Sequence, residues 1–234
     1  MFKKRNNPNV LTVPYHYSAQ WDGRYDAADV AGFQMPEELL SAAPNIKAAY
    51  AAGRACAAKA IEALDQNLPT YVGRNPDGSP RWPDGVVGSI THTDNFVAAA
   101  VAPAADFLGI GIDSEKIMDE KILDETKRIA LLGGEQEFLL RLPFSAAQIL
   151  TLIFSAKESV YKCVHPLVKH PFDFSDIDIV SVDVQRNQFD FRLPALWYRL
   201  LPPHDRFSAR FEMGSDYVHT AVELSSSSRH PSRG

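Results

Sequence analysis

Acidic and basic side chains of the kinds used in phosphate chemistry occur in two separate stretches of the chain. In the first, LGIGIDSEKI (108–117), an apolar run with the character of a buried strand leads into Asp113 and Glu115. Residues two apart on a strand face the same side, and two carboxylates on one side repel each other unless a positive charge lies between them. The stretch therefore predicts either a cation site at a strand end or two solvated acids, the commoner fate of such residues.

The second stretch, FSAKESVYKC (154–163), continues an apolar run and carries three charges in its middle, Lys157, Glu158 and Lys162. A helix that is apolar nearly all round is a buried helix, and Lys and Glu are almost never fully buried unless they are paired. Glu158 and Lys162 share one helix face, so an internal ion pair is one interpretation. An active site is the other, since both kinds of feature perturb charged groups.

The two stretches together supply the side chains that phosphoryl transfer needs. Asp113, Glu115 and Glu158 together would give a site for a hard cation such as Mg²⁺, with positions left open for phosphate oxygens. Lys157 and Lys162 add positive charge for a polyphosphate. The sequence contains neither GxxxxGK[ST] nor GxGxxG, so a nucleotide would have to be held in another way.

A third stretch, GSPRWPDGVVGSITHT (78–93), has the Gly and Pro punctuation of a structured loop that leads into a strand. Hydroxyl and imidazole groups such as those of Thr91 and His92 can bind an anionic phosphate, although a His at a strand end is more often a simple cap. Further cations that suit phosphate binding lie upstream: Lys47, Arg54 and Arg74.

Composition excludes several classes of protein. The chain has 234 residues, of which 45% are hydrophobic and 23% charged, an ordinary globular mixture. A net charge of −5 does not favour binding to nucleic acid. No apolar run reaches the ~18 residues that a membrane span needs. The basic start MFKKRNN is not followed by an apolar region, so we expect no secretory signal and a cytoplasmic location. Cys56 and Cys163 lie in apolar helical patterns and are predicted to be core residues.

The pattern of apolar residues predicts an α+β fold of antiparallel sheets, each packed on a long helix. One helix covers 45–64, capped by Ser41 or Asn45, and the other covers 146–164, capped by Ser145. We predict an N-terminal lobe (1–105), a C-terminal lobe (106–224) and a disordered tail (225–234), with VAPAAD (101–106) as the linker. The predicted strands are 86–90, 96–102, 107–112, 177–184, 188–193, 206–213 and 217–224.

A weak internal repeat favours two similar lobes. TDNFVAAAV (93–101) aligns with GSDYVHTAV (214–222), and GRACAAK (53–59) aligns with AKESVYK (156–162). The matches are few and rich in alanine, so chance is the other explanation. If the repeat is real, the cleft between the two lobes is the natural place for a ligand.

The three motifs resemble those of one family. GIDSEK (111–116), followed about forty residues later by FSAKESVYK (154–162), resembles the two-part signature of the 4′-phosphopantetheinyl transferases, and WPDGVVGSITHT (82–93) is similar to their third motif. The resemblance is to the Sfp-type subfamily, and within it to the branch of enterobactin synthase component D. It covers roughly residues 45–224.

The resemblance implies two pseudo-symmetric lobes with coenzyme A (CoA) in the cleft between them. It implies a monomeric enzyme that transfers 4′-phosphopantetheine from CoA to a serine of an apo acyl, aryl or peptidyl carrier protein. Adenosine 3′,5′-bisphosphate is released, and the branch favours a siderophore or other nonribosomal peptide or polyketide synthase.

The resemblance also implies roles for the residues singled out above. Asp113, Glu115 and Glu158 would hold Mg²⁺, with Glu158 also the general base, while Lys162 would stabilise the leaving bisphosphate. CoA would be bound by Lys47, Arg54, Arg74, Thr91, His92, Lys157 and Lys162. The chain departs from the family at Gly78-Ser79-Pro80, where many relatives have Gly-Lys-Pro, so Arg74 or Arg81 would have to replace that lysine.

Two other functions stay open from the sequence. A metal-dependent hydrolase of CoA or of a nucleotide pyrophosphate could use the same acids and would need no carrier protein. A non-catalytic CoA-binding subunit of a synthase would bind CoA and leave a carrier unmodified.

Overall fold

A computed structural model of the chain describes most residues between 34 and 226, together with two short strands before them. The described ranges are 3–4, 16–20, 34–119, 121, 123, 141–169, 172–201 and 206–226. These residues form two α-helices, two antiparallel sheets and a two-stranded hairpin. The predicted α+β fold is therefore confirmed.

The first sheet consists of β1 (Lys3–Lys4), β2 (His16–Gln20), β5 (Val86–His92) and β6 (Phe96–Pro103). The strands lie in the order β1-β2-β6-β5, and helix α1 (Pro44–Leu64) packs on the sheet. Alternate residues of β6 divide between two cores, because side chains alternate across a strand. Val97, Ala99 and Val101 pack with α1, whereas Ala98 and Ala100 turn to the second sheet.

The second sheet consists of β7 (Phe107–Lys116), β8 (Asp178–Asp183), β9 (Gln188–Arg192), β10 (Phe207–Met213) and β11 (Tyr217–Ser225). The strands lie in the order β7-β11-β10-β9-β8, and helix α2 (Ala146–Val168) covers one face of the sheet. A core rich in aromatic side chains lies between this helix and the sheet.

The ends of the helices follow local capping chemistry. Ser145 caps α2 as predicted, and a capping box with Gln148 satisfies two backbone N–H groups. The predicted cap of α1 is wrong: Ala43 is the cap and Pro44 opens the helix, where a missing N–H has no consequence. α2 also continues beyond its predicted end, through Pro166 to Val168.

The two sheets meet through β5 and β7, which are not hydrogen-bonded to each other as neighbouring strands in either sheet. Instead, two side-chain hydroxyl groups of β5 form hydrogen bonds with the backbone of β7. Ser89 Oγ accepts a hydrogen bond from the N–H of Ile112 (3.0 Å), and Thr91 Oγ1 accepts one from the N–H of Ser114 (3.1 Å). Beside them, small alanines of β6 pack on Ile110 and Ile112, which lets the sheets approach closely.

Several boundaries differ from those predicted. The linker assigned to 101–106 is wrong in its first half, because β6 continues to Pro103 and only 104–106 form the turn. The tail assigned from 225 also begins too early. Ser225 belongs to β11, and Ser226 donates from its N–H to Asp106 O (2.9 Å); residues 227–234 lie outside the described residues. The division into domains at 105/106 stays a prediction.

The internal repeat predicted from the sequence corresponds to one shared structural feature, a hydrogen-bonded turn at the aligned positions. The N–H of Thr93 donates to Phe96 O (2.7 Å), and at the aligned positions the N–H of Gly214 donates to Tyr217 O (2.8 Å). Pseudo-symmetry of the whole lobes stays a prediction. No helix in the described part of the chain is long and apolar enough to cross a membrane.

Candidate active site

Two glycines of β7 let α2 lie directly on the strand. A Cβ on Gly111 would collide with the carbonyl oxygen of Ser159, and a Cβ on Gly109 would lie 2.6 Å from that of Cys163. Any larger residue would push the helix away from the sheet. The close approach places the charged residues of α2 beside the acids that follow the glycines on β7.

Asp113 lies where β7 and α2 are in contact, and it is 3% exposed. Its Oδ1 accepts hydrogen bonds from the ammonium of Lys162 (2.6 Å) and the hydroxyl of Thr91 (3.2 Å). Its Oδ2 is buried and has no hydrogen-bond partner. Lys162 thus forms its ion pair with Asp113, and the interpretation of an internal pair with Glu158 is wrong.

The acids of the site disfavour one another's ionisation. The pKa of Glu115 is raised to about 7, first by burial and then by the charge of Asp113, with a smaller contribution from Glu158 and against the opposing charge of Lys162. Burial and Asp113 likewise raise the pKa of Glu158. Burial by itself would lower the pKa of Lys162, but the ion pair with Asp113 has the larger effect, so the lysine pKa is raised. One lysine therefore faces three carboxylates.

These observations fit a cation site that is only partly assembled. A buried carboxylate oxygen without a partner and glutamates of raised pKa are what an oxygen-ligated cation would satisfy. Among the described residues, no three acids, histidines or cysteines converge as a ready ligand cluster. Asp113 Oδ2 is the ligand already in place, and the side chains of Glu115 and Glu158 would have to turn toward it. The assignment of Mg²⁺ stays a prediction.

A basic hollow lies next to these acids. A cavity of about 620 Å³ is lined by Arg54, Arg74 and His92, and burial followed by the charge of Lys162 lowers the pKa of His92. A smaller cavity of about 290 Å³ between the lobes is lined by Glu158 and Lys162. Both cavities contain Pro80 and Ile90 in their walls, so they are neighbours, and we call the two together the interlobe groove.

Not all of the predicted phosphate ligands face the interlobe groove. Lys157 is fully buried, and its ammonium donates to the carbonyl of Phe174 (3.1 Å). The expected contact of Lys157 with CoA gains no support from this arrangement, in which the ammonium holds the backbone beyond the helix. Lys47 is half-buried, does not line the groove cavities, and donates to Leu40 O (3.3 Å).

Arg54 combines a structural contact with a place in the groove wall. Its Nε and Nη2 donate to the carbonyls of Val72 (3.0 Å) and Gly73 (3.1 Å), and its guanidinium lies over the ring of Tyr50. These contacts fix helix α1 to the hairpin of β3 (Gly73–Arg74) and β4 (Pro80–Arg81). A guanidinium has five N–H donors, so others remain for a ligand.

The turn of this hairpin was missed by the sequence reasoning. Gly78 has a φ of 91°, and the Ser79 hydroxyl donates to Asp77 (2.6 Å), which holds the turn closed. Arg74 lies against this turn, with Nη2 3.0 Å from where a Cβ of Gly78 would be. Ser79 therefore has a structural contact, and Arg74 is a cation beside the turn that contains it.

Asp77 and an aromatic hollow complete the opposite wall and were also missed. Asp77 lies 3.9 Å from His165 of α2 across the interlobe groove. On the other side of Glu158, a hollow of about 560 Å³ is lined by Tyr161, Phe172 and Phe174. Phe172 and Phe174 lie beyond the end of α2, so only the folded chain brings them beside Glu158.

Comparison with known protein families fits this geometry. The family model described as the 4′-phosphopantetheinyl transferase N-terminal domain matches residues 35–102, and that of the 4′-phosphopantetheinyl transferase superfamily matches 109–222. The chain belongs to this superfamily. The family and enzyme class predicted from the motifs are thereby confirmed.

Individual phosphopantetheinyl transferases align over most of the chain. The transferase Svp of Streptomyces mobaraensis is 35% identical over 206 residues, which are 84% of this chain and 80% of Svp. Enterobactin synthase component D of Salmonella typhimurium is 37% identical over 148 residues, 62% of this chain and 59% of that protein. A solved holo-(acyl-carrier-protein) synthase from Bacillus anthracis is 20% identical with a TM-score of 0.36, covering 53% of this chain and 100% of the synthase.

Proposed function

We propose that this phosphopantetheinyl transferase moves the 4′-phosphopantetheine of CoA to a serine of an apo carrier protein and releases adenosine 3′,5′-bisphosphate. One observation carries the proposal: Asp113 of β7 and Lys162 of α2 meet beside Glu115 and Glu158 at the interlobe groove. The names of the relatives support it, since they are phosphopantetheinyl transferases.

The basic end of the groove suits the phosphates of CoA. Arg74 and His92 line it, and Arg54 has N–H donors left beyond those that it gives to the backbone. Guanidinium groups pair with phosphate through two parallel hydrogen bonds. The adenosine end would therefore lie in the N-terminal lobe, and the reacting pyrophosphate would lie nearer to Lys162. Contacts of Lys47 with CoA stay a prediction.

The chemical step needs a base and a group that stabilises the leaving phosphate. The serine oxygen attacks the β-phosphorus of CoA, a new P–O bond forms, and the bond to the oxygen bridging the two phosphorus atoms breaks. Glu158 accepts the serine proton, because burial and Asp113 raise its pKa and make it a stronger base than a solvated glutamate. Lys162, fixed by Asp113, stabilises the charge that develops on the leaving bisphosphate.

A bound Mg²⁺ would neutralise negative charge on the phosphoryl oxygens. Asp113, through its unpartnered Oδ2, would hold the ion together with Glu115 and Glu158. The protein otherwise contributes positioning, which supplies much of the rate in phosphoryl transfer.

The carrier would be an acyl, aryl or peptidyl carrier protein of a siderophore or other nonribosomal synthase. Similarity to several enterobactin synthase components D supports this choice. Action as a monomer in the cytosol stays a prediction.

Intact-protein mass spectrometry tests the proposal. The chain is incubated with CoA, Mg²⁺ and an apo carrier, with a carrier whose acceptor serine is alanine as the control. We expect the phosphopantetheine mass on the first carrier and none on the second. CoA cleavage without any carrier would indicate a hydrolase, and CoA binding with an unmodified carrier would indicate a non-catalytic subunit.

A further inference from the structure

Thr91 is aimed at the opposite lobe and not at the interlobe groove. It is 2% exposed, and it does not line either cavity of the groove, whereas its neighbour His92 does. Its hydroxyl crosses the junction between the sheets and meets two groups of β7, the N–H of Ser114 and the carboxylate of Asp113.

The hydroxyl of Thr91 has no proton left for a phosphate. A threonine hydroxyl carries one O–H donor and two acceptor positions. The donor goes to Asp113 Oδ1 (3.2 Å), and one acceptor position takes the N–H of Ser114 (3.1 Å). A phosphate oxygen needs a donor, so the predicted contact between Thr91 and CoA phosphate is not available in this arrangement.

The same contact determines which oxygen of Asp113 remains available. Thr91 and Lys162 both donate to Oδ1, from β5 on one side and α2 on the other. Two donors on one oxygen fix the rotation of the carboxylate, and Oδ2 is left buried without a partner. An oriented, unpartnered carboxylate oxygen is the feature that a divalent cation requires.

We propose that Thr91 is a positioning residue that orients Asp113 from the opposite lobe and keeps Oδ2 available for a divalent cation. The inference rests on the proposed function, because it assigns Asp113 to the metal. It also makes the cation site dependent on the contact between the lobes. Asp113 is held correctly only when β5 and β7 are in register.

The chain contains a matched control at the same junction. Ser89 lies two residues before Thr91 on β5, is equally buried, and accepts the N–H of Ile112 in the same way. It makes no contact with an acid in the described hydrogen-bond network. Removing its hydroxyl weakens the junction and leaves the carboxylate of Asp113 with both of its donors.

The experiment compares Thr91→Val, Thr91→Ser and Ser89→Ala with the wild-type chain. Binding of Mn²⁺ alone is measured by calorimetry and by water proton relaxation, and unfolding is followed by circular dichroism. Loss of an outer-shell partner of a metal ligand typically weakens metal affinity about 10- to 100-fold. We expect such a loss for Thr91→Val, near wild-type affinity for Thr91→Ser, and an unchanged Mn²⁺ dissociation constant for Ser89→Ala. If Thr91→Val does not fold, Thr91→Cys, with its weaker thiol donor, replaces it and should show a smaller loss.

Steady-state kinetics separates this inference from the proposed function. A raised KM for CoA in Thr91→Val with unchanged Mn²⁺ binding would overturn the positioning role, show a direct phosphate contact, and leave the transferase assignment standing. Equal weakening by Ser89→Ala would also overturn it, since the junction as a whole would then be responsible. A wild-type chain that transfers phosphopantetheine but does not bind Mn²⁺ would overturn the metal site and with it the role of Thr91.

Discussion

Glu115→Gln is expected to make the metal-free protein more stable at neutral pH while it removes activity. The pKa of Glu115 is raised from 4.5 to about 7, first by burial and then by the charge of Asp113. A carboxyl group whose pKa is raised on folding is destabilising when it is ionised. The penalty is absent below about pH 4.5, grows as the pH rises, and is complete above about pH 7.

The magnitude follows from the size of the change in pKa. One pKa unit corresponds to about 1.36 kcal/mol, so the full penalty is at most roughly 3 kcal/mol, and partial access to solvent reduces it to about 1–3 kcal/mol. For a chain of this length, 1 kcal/mol changes Tm by about 2–4 °C. Glu115→Gln should therefore raise Tm by roughly 3–10 °C at pH 8 and change it little at pH 5.

The assay is thermal unfolding in EDTA at pH 5 and pH 8, with Glu62→Gln as the matched control. Glu62 is an exposed glutamate of α1 that pairs with Lys59 at 3.0 Å, and loss of an exposed pair changes stability by about 0–1 kcal/mol. Phosphopantetheine transfer with Mg²⁺ is measured in parallel and should be lost only in Glu115→Gln. A Glu115→Gln protein that is no more stable than wild type at pH 8 would refute the idea of an uncompensated acid cluster.

Three further substitutions test separate parts of the site. Asp113→Ala should abolish transfer in the mass-spectrometric assay and leave the circular dichroism spectrum unchanged; normal turnover at limiting Mg²⁺ would contradict a metal ligand. Lys162→Ala should raise KM for CoA and lower kcat, because a lysine on a phosphate that gains charge acts on both; a loss of thermal stability alone would indicate a structural ion pair. Gly111→Ala should lower Tm by about 6–12 °C, since overpacking against the Ser159 carbonyl costs about 3 kcal/mol, whereas Gly85→Ala, with φ 80° and open space, should cost only about 1 kcal/mol.

Elements with a strong periodic pattern of apolar residues could be predicted from the sequence, whereas contacts between distant elements could not. Helix α2 and its cap at Ser145 follow from apolar spacing and local capping chemistry, which act within a few residues. The roles of Lys157 and Thr91 depend on partners in other elements, Phe174 O and Asp113. No local pattern reports such partners. The short hairpin of β3 and β4 was missed because two-residue strands have no measurable period.

The register of β7 explains how the active site and the junction between the lobes share one strand. Its even-numbered residues Ile110 and Ile112 turn to the N-terminal lobe. The odd-numbered Gly111 and Asp113 turn to α2, and Asp113 lies opposite Thr220 of β11. Because the side-chain period of a strand is two, a slip by one residue would bury the acids among alanines and place isoleucines beneath the helix. The apolar contact of the even residues therefore fixes the register that presents the acids to Lys162.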